Sequence, residues 1–297
     1  MLGFIGIGIM GKPMVRNLLR HGYTVTVFDI NEEAVREMAA EGAVPAHSPK
    51  EAAQHSDVIF TMLPNSEHVK SVVLGADGII EGAKRGTIFV DMSSISPVVS
   101  KELAETLVNY DIDMLDAPVS GGEPKAIDGT LSIMVGGKEE VFQKVKPILQ
   151  CMGKDIILVG GNGAGTTAKL ANQIMVNVNI AAMSEAVMLA AKAGIDIEKM
   201  YQAVRGGLAG SAVLDAKVPL ILKRNFKPGG RIDINLKDLM NVVEAAHSIG
   251  VPVPLTSQVL EMFYALKVDG KEGLDHAALI QYYEKLANFN VTQTANV

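Results

Sequence analysis

Two rhythms of apolar positions divide the chain. In the first half, short continuous apolar runs alternate with stretches in which apolar residues recur every three to four positions. Residues 2–6, 24–28, 58–62, 87–91 and 113–116 read as strands, with helices over 12–20, 32–40, 67–74 and 98–109 between them. Continuous apolar strands joined by helical crossovers imply a parallel sheet covered on both faces. A further strand pair, 131–135 and 156–159, flanks a helix over 139–150 and would extend the sheet. The rhythm changes at the breaker Gly160 to Gly165. Beyond it, residues 166–193 run without proline and with apolar positions at helical spacing, a length of ~40 Å at ~1.5 Å per residue. The remainder is helical in pattern, broken at Gly206-Gly207, Pro228 to Gly230 and Val251 to Pro254. The expected architecture is a doubly wound parallel α/β domain over 1–162 followed by an all-α domain over 163–297.

Composition narrows the functional classes. The chain has 297 residues, more than one core usually organises, with 48% hydrophobic and 20% charged residues. The net charge is −6 and no run of Lys and Arg occurs, so a nucleic-acid partner is not expected. The single cysteine, Cys151, rules out a disulfide framework and fits a reducing, cytoplasmic setting. The six histidines never fall at metal-ligand spacing, so no metal is expected. The apolar start over 1–10 is short and broken by glycine, which suits a buried first strand better than a targeting segment. No apolar stretch approaches a membrane span without glycine or charge, so no membrane partner is expected.

The first turn carries the sharpest chemical signal. Gly6-Ile7-Gly8-Ile9-Met10-Gly11 is G-x-G-x-x-G, placed directly after an apolar strand and directly before a helix. The first glycine makes the turn, the second admits a pyrophosphate to the backbone, and the third lets helix and strand pack closely. The helix N-terminus then offers N–H groups to the phosphates. Asp29 ends the second strand ~20 residues on, where an acid accepts hydrogen bonds from the adenine ribose. This is the fingerprint of a Rossmann-type dinucleotide domain. Asp29 would repel a 2′-phosphate, which favours NAD, yet Asn31 suits either cofactor and NADP stays open. Ligands of open parallel sheets lie beyond the carboxyl ends of strands, which adds Leu63-Pro64-Asn65 and Ser93-Ser94 as candidate cofactor contacts. Ser96-Pro97 reads simply as an N-cap and first helical residue.

Two later segments offer substrate chemistry. In Asp116-Ala117-Pro118-Val119-Ser120-Gly121-Gly122, Pro118 has no N–H for a ladder, so pairing should stop there. The hydroxyl of Ser120 and the open backbone of Gly121 and Gly122 suit a small carboxylate, or serve only as a turn. Lys169 and Asn172 stand three apart at the start of the long helix and share a face. They form a partly buried polar pair, or Lys169 is solvated. A desolvated lysine exchanges a proton near neutrality. Lys237 and Asp238 open an apolar helix and, from spacing alone, are its exposed end.

Together these segments resemble the β-hydroxyacid dehydrogenase family, the 3-hydroxyisobutyrate dehydrogenase-like enzymes. The patterns are Gly-Phe-Ile-Gly-Ile-Gly-Ile-Met-Gly-Lys-Pro-Met (3–14), Asp-Ala-Pro-Val-Ser-Gly-Gly (116–122), the Lys169 to Asn172 segment and Leu-Lys-Asp-Leu (236–239), in order along nearly the whole chain. The resemblance implies an oxidoreductase that uses a nicotinamide cofactor on a small hydroxy acid or semialdehyde. It implies Lys169 as general acid in reduction and base in oxidation, with Asn172 orienting it or the substrate. It implies Ser120, Gly121 and Gly122 on the substrate carboxylate, Asn65 and Ser94 on the cofactor, and Lys237 beside the nicotinamide end. The position after Asn172 is Gln173, a departure from the frequent second asparagine. This departure and residues 121–132, 205–211 and 225–229 resemble one branch of the family. Relatives that serve as interaction modules, and imine reductases, lack the lysine; a non-catalytic dinucleotide-binding module is the alternative. The long helix is apolar on more than one face, through Leu170, Ile174, Val176, Val178, Ile180, Met183, Val187, Met188 and Leu189. Other helices or a second subunit must cover it, and the resemblance points to a homo-oligomer, dimer or tetramer.

Overall fold

Strands covered by helices on both faces meet no water, so they must be apolar along their whole length. A computed structural model of the chain, describing residues 1–292, shows this arrangement in the inner strands of the first of two units, Met1–Lys169, whereas the outer strands are largely exposed. Its strands are β1 (Leu2–Ile5), β2 (Val25–Phe28), β3 (Val44–Pro45), β4 (Val58–Thr61), β5 (Ile88–Asp91), β6 (Asp113–Asp116), β7 (Val119–Ser120), β8 (Leu131–Gly136) and β9 (Gly153–Gly160). The helices between them are α1 (Gly11–Arg20), α2 (Glu32–Ala40), α3 (Pro49–Gln54), α4 (Ser66–Leu74), α5 (Ile79–Gly82), α6 (Pro97–Val108), α7 (Gly122–Asp128) and α8 (Glu139–Leu149). The sheet runs β3-β2-β1-β4-β5-β6-β8-β7, with β9 beside β8. From β3 to β6 every pairing is parallel, whereas β8 is antiparallel to β6. The carboxyl ends of β1, β2, β4, β5 and β6 therefore share one edge, with the reversal of strand order at β1. Phe4, Phe60, Val90 and Leu115 fill the core on one face, and their sequence neighbours Ile5, Ile59, Phe89 and Met114 fill the other.

The structure adds short elements that periodicity alone did not reveal. Helix α3 starts at Pro49 behind a Ser48 cap, and is too short for a periodic signal. Helix α7 starts at Gly122, at the end of the Ser120 to Gly122 segment for which a turn is one reading. Pro118 does not end pairing as expected. It ends pairing with β5, and β7 then pairs with β8, Val119 opposite Ile133. Pro118 needs no N–H for this, because its carbonyl accepts from the Met134 N–H at 3.1 Å. Ser96 also departs from expectation: it stands at the N-cap of α6, but its side chain makes no cap bond, and Pro97 alone sets the start.

The second unit begins at Leu170, inside the long helix α9 (Ala164–Lys192). It continues through α10 (Ile197–Arg205), α11 (Ala212–Leu222), α12 (Ile232–Ser248), α13 (Pro254–Val268), a 3-10 turn His276–Leu279 and α14 (Ile280–Ala287). The breaks between helices fall at the glycine and proline clusters, and Asp196 and Ser211 cap α10 and α11 with side-chain oxygens. Residues 293–297 of the helical domain expected from the sequence lie outside the described residues. The core gathers Ile180 and Val187 of α9 with Val218, Leu239, Phe263 and Ile280. Buried Asp275 ties this unit together, accepting from Lys217 Nζ at 2.9 Å and from the Gly230 and Ala277 N–H groups. By length and composition α9 could cross a bilayer, yet half of its most apolar stretch is buried as in a core helix. The other helices of this chain do not cover α9 completely: Leu189 is 74% exposed and Met175 61%.

Candidate active site

The glycine turn after β1 is shaped by close approaches that only glycine permits. Gly6 has φ +92°, and a Cβ there would sit 2.4 Å from the Met62 carbonyl oxygen. A Cβ on Gly11 would meet Gly6 O at 2.0 Å, so strand and helix touch without side chains between them. At Gly8, by contrast, a Cβ would meet nothing within 4 Å, and the backbone faces open space. Asp29 is fixed against this turn. Its Oδ2 accepts the Ile7 N–H at 2.8 Å and its Oδ1 accepts the Asn31 N–H at 2.8 Å. Asn31, not Asp29, caps α2, accepting from the Glu33 N–H at 3.1 Å. Each Asp29 oxygen keeps a further lone pair for a ribose hydroxyl. A cavity of about 410 Å³ opens here, lined by Ile7, Gly8, Ile9, Asp29 and Asn31 together with Lys12 and Arg16. These residues fit a dinucleotide: an open backbone for phosphate and an oriented acid for ribose. Arg16 bonds Glu41 at 2.6 and 2.8 Å and Glu37 at 2.8 Å, and Lys12 bonds Glu37.

The loops after β4 and β5 are held together by side chains. The Leu63 N–H donates to Ser93 Oγ at 2.8 Å. Asp91 Oδ1 accepts from Thr61 Oγ1 at 2.7 Å and from the Ser93 N–H at 3.1 Å. Asp91 is fully buried and its Oδ2 has no partner. Burial pushes its carboxyl up to about 6, against the lowering effect of the Ser93 and Thr61 bonds. Asn65 caps α4 through Oδ1, which accepts from the His68 N–H at 3.0 Å. Pro64 is exposed and Ser94 half-buried on this edge, whereas the hydroxyl of Ser93 is committed inside.

Ser120 is half-buried at the end of β7, and Gly121 and Gly122 start α7. Lys169 lies on α9 within the sheet unit and is buried, 8% exposed, so the solvated reading is excluded. The first turn of α9 is bound to the carboxyl end of β6. Asp116 Oδ1 accepts the Gly163 N–H at 2.7 Å, and Oδ2 accepts the Thr166 N–H at 2.8 Å. In the helical unit, Asn172 Nδ2 donates to Gln173 Oε1 at 3.0 Å, and Gln173 Nε2 donates to Asp238 Oδ2 at 2.6 Å. Lys237 Nζ lies 3.1 Å from Asp238 Oδ1. Asp238 is buried beside Asn235, so the pair opening α12 is not simply an exposed helix end. Sequence reading names Asp116 and Asp238 only as members of their motifs and gives Asp91 no role. The signal available was an aspartate closing an apolar strand, which Asp29, Asp91 and Asp116 share.

A doubly wound sheet with a glycine cradle and an acid oriented at the end of β2 is the arrangement of a dinucleotide-binding domain, and the chain adds a buried lysine at the start of α9. Comparison with known proteins agrees. Residues 1–161 match the NAD-binding domain of 6-phosphogluconate dehydrogenase, and residues 163–283 match the NAD-binding domain of NADP-dependent 3-hydroxyisobutyrate dehydrogenase. The chain is 45% identical to the 2-hydroxy-3-oxopropionate reductase of Escherichia coli, covering 97% of this chain and 98% of that protein. It is 39% identical to the 2-(hydroxymethyl)glutarate dehydrogenase of Eubacterium barkeri, covering 98% and 97%. The solved 3-hydroxyisobutyrate dehydrogenase of Mycobacterium tuberculosis superposes with a TM-score of 0.89 at 31% identity, covering 95% and 98%. The chain belongs to the β-hydroxyacid dehydrogenase family and is an NAD(P)-dependent enzyme, which sets aside the interaction-module alternative.

Two measurements follow from this geometry. Asp29→Ala should raise the dissociation constant for NADH about tenfold, the loss of a hydrogen bond to a charged group, and narrow the difference between NADH and NADPH. Fluorescence titration with both cofactors checks this, and unchanged affinities would contradict it. Asp91 has a raised pKa in the folded state, so its contribution to stability is present below pH ~4 and is lost as pH rises through about 6. Asp91→Asn lacks that loss. The Tm of the variant relative to the parent should therefore rise between pH 4.5 and 7.5; a constant difference would contradict the assignment.

Proposed function

We propose that the chain reduces 2-hydroxy-3-oxopropanoate (tartronate semialdehyde) to glycerate with NADH as preferred donor. The likeness to the E. coli 2-hydroxy-3-oxopropionate reductase across nearly the whole of both chains carries this reading. In this reading residues 1–162 bind the dinucleotide, with Leu63, Pro64, Asn65, Ser94 and Lys237 contributing contacts, and residues 163–297 serve substrate and assembly. The charge of Asp29 disfavours a 2′-phosphate, and the cations that line the same cavity, Lys12 and Arg16, are engaged by Glu37 and Glu41. The lone buried Cys151 suits a cytoplasmic setting.

The glycine turn and Asp29 would hold the dinucleotide, which would supply the hydride for the aldehyde carbon. Negative charge then develops on the aldehyde oxygen, and Lys169 Nζ delivers a proton there, a contribution of roughly 10²–10⁴-fold. Ser120 Oγ and the N–H groups of Gly121 and Gly122 hold the carboxylate, which fixes the carbonyl for attack. Asn172 donates its amide to Gln173, so its oxygen remains an acceptor for the substrate hydroxyl or the lysine. In the oxidation direction Lys169 takes the proton back.

The likeness to 3-hydroxyisobutyrate dehydrogenase favours a second substrate, one with a methyl in place of the hydroxyl. We further assign a homo-oligomer, because the exposed Met175 and Leu189 fall on one side of α9. Light scattering should show a dimer or tetramer; a single species near 31.5 kDa would contradict it.

The substrate assignment predicts kcat/KM at least tenfold higher for 2-hydroxy-3-oxopropanoate than for 2-methyl-3-oxopropanoate, the scale of one group in a pocket (about 10–200-fold). The reverse order would overturn it. Lys169→Ala should lose about 10²–10⁴-fold in kcat with NADH affinity within about twofold of the parent. Near-normal kcat would remove the lysine from the reaction.

A further inference from the structure

The start of α9 takes its cap from a distant strand. Helices usually satisfy their first N–H groups with a side chain from the residue just before them. Here the acceptor is the Asp116 carboxylate, 47 residues before Gly163 and 50 before Thr166. It is fully buried, and it takes a third contact from Thr166 Oγ1 at 3.0 Å. The backbone comes in so close that a Cβ on Gly165 would lie 2.4 Å from Met134 O and 2.5 Å from Asp116 O. A Cβ on Gly136 would lie 2.6 Å from Asp116 Oδ1. The first turn of α9 is thus fastened to the ends of β6 and β8 by a buried anion at the positive end of the helix. Lys169 follows Thr166 by three residues, less than one turn.

We propose that Asp116 is the positioning residue for Lys169. By fastening the first turn of α9 to the carboxyl end of β6, it sets where the lysine stands relative to the cofactor edge and to Ser120, which follows Asp116 by four residues. This rests on the reading of Lys169 as proton donor. A shift of about 1 Å in a catalytic group costs on the order of 10²-fold, so a misplaced helix start is read in kcat before it is read in cofactor binding. The glycine cradle and Asp29 belong to β1, α1 and β2 and make no hydrogen bond to Asp116.

The test is a double-mutant cycle, with rates expressed per NADH-binding site. Asp116→Asn keeps the size of the side chain but turns an amide donor towards the donors of Gly163 or Thr166. It should lower kcat at least tenfold while the NADH dissociation constant stays within twofold. Thr166→Ser, which keeps the hydroxyl, should retain at least half of kcat, and Thr166→Val should lose threefold or more; this pair decides the matter if Asp116→Asn does not fold. In a Lys169→Ala background, Asp116→Asn should change the residual rate less than twofold, because the two act through one group. Equal losses of rate in both backgrounds, or an unimpaired Asp116→Asn beside an inactive Lys169→Ala, overturn the positioning role. A fully active Lys169→Ala overturns the proton-donor reading instead.

Discussion

A carboxylate removed from water must be given donors, and the start of a helix must be given acceptors. At Asp116 the two requirements answer each other: a buried anion at the end of β6 takes N–H groups from the start of α9. That contact fastens the first turn of α9 to the end of β6. It also explains why the neighbouring positions are glycine, since side chains at Gly136 and Gly165 would hold the helix off the sheet.

The same device recurs along the edge. Strands β2, β5 and β6 each run into or end on an aspartate, and each aspartate accepts at least one backbone N–H from a loop it helps to shape. Asp29 fixes the glycine turn, Asp91 fixes the loop of Ser93, and Asp116 fixes the helix that carries Lys169. They differ in how fully they are satisfied. Asp91 keeps one oxygen without a partner and holds its proton up to about pH 6, whereas both oxygens of Asp116 are engaged. One edge thus combines a glycine turn that fits a dinucleotide with the buried start of the helix that carries Lys169, an arrangement compatible with the NAD(P)-dependent dehydrogenase family to which the chain belongs.

Much of this was legible in the sequence because the signals were local and redundant. Continuous apolar runs marked the strands, and Gly6, Gly8, Gly11 and Asp29 marked the cofactor turn by spacing alone. The breaks between the later helices fell at glycine and proline clusters. The short elements β3, α3, α5 and α7 lacked the length for a period to show. The burial of Lys169 was open in the sequence, since a lysine at a helix start is ordinarily solvated. The roles of Asp91, Asp116, Gln173 and Asp238 depend on partners 30 to 65 residues away, which no local pattern encodes. Pro118 misled for the same reason: its missing N–H was visible, but the exchange of sheet neighbours beyond it was not.

The central claim is that one lysine gives the proton while Ser120, Gly121 and Gly122 hold the carboxylate. A crystal structure of the ternary complex with NAD⁺ and glycerate tests it most directly. The account predicts Lys169 Nζ within about 3.2 Å of the hydroxyl to be oxidised, and the carboxylate on Ser120 Oγ and the Gly121 and Gly122 N–H groups. A glycerate bound with its carboxylate elsewhere, or with that hydroxyl out of reach of Lys169, would contradict it.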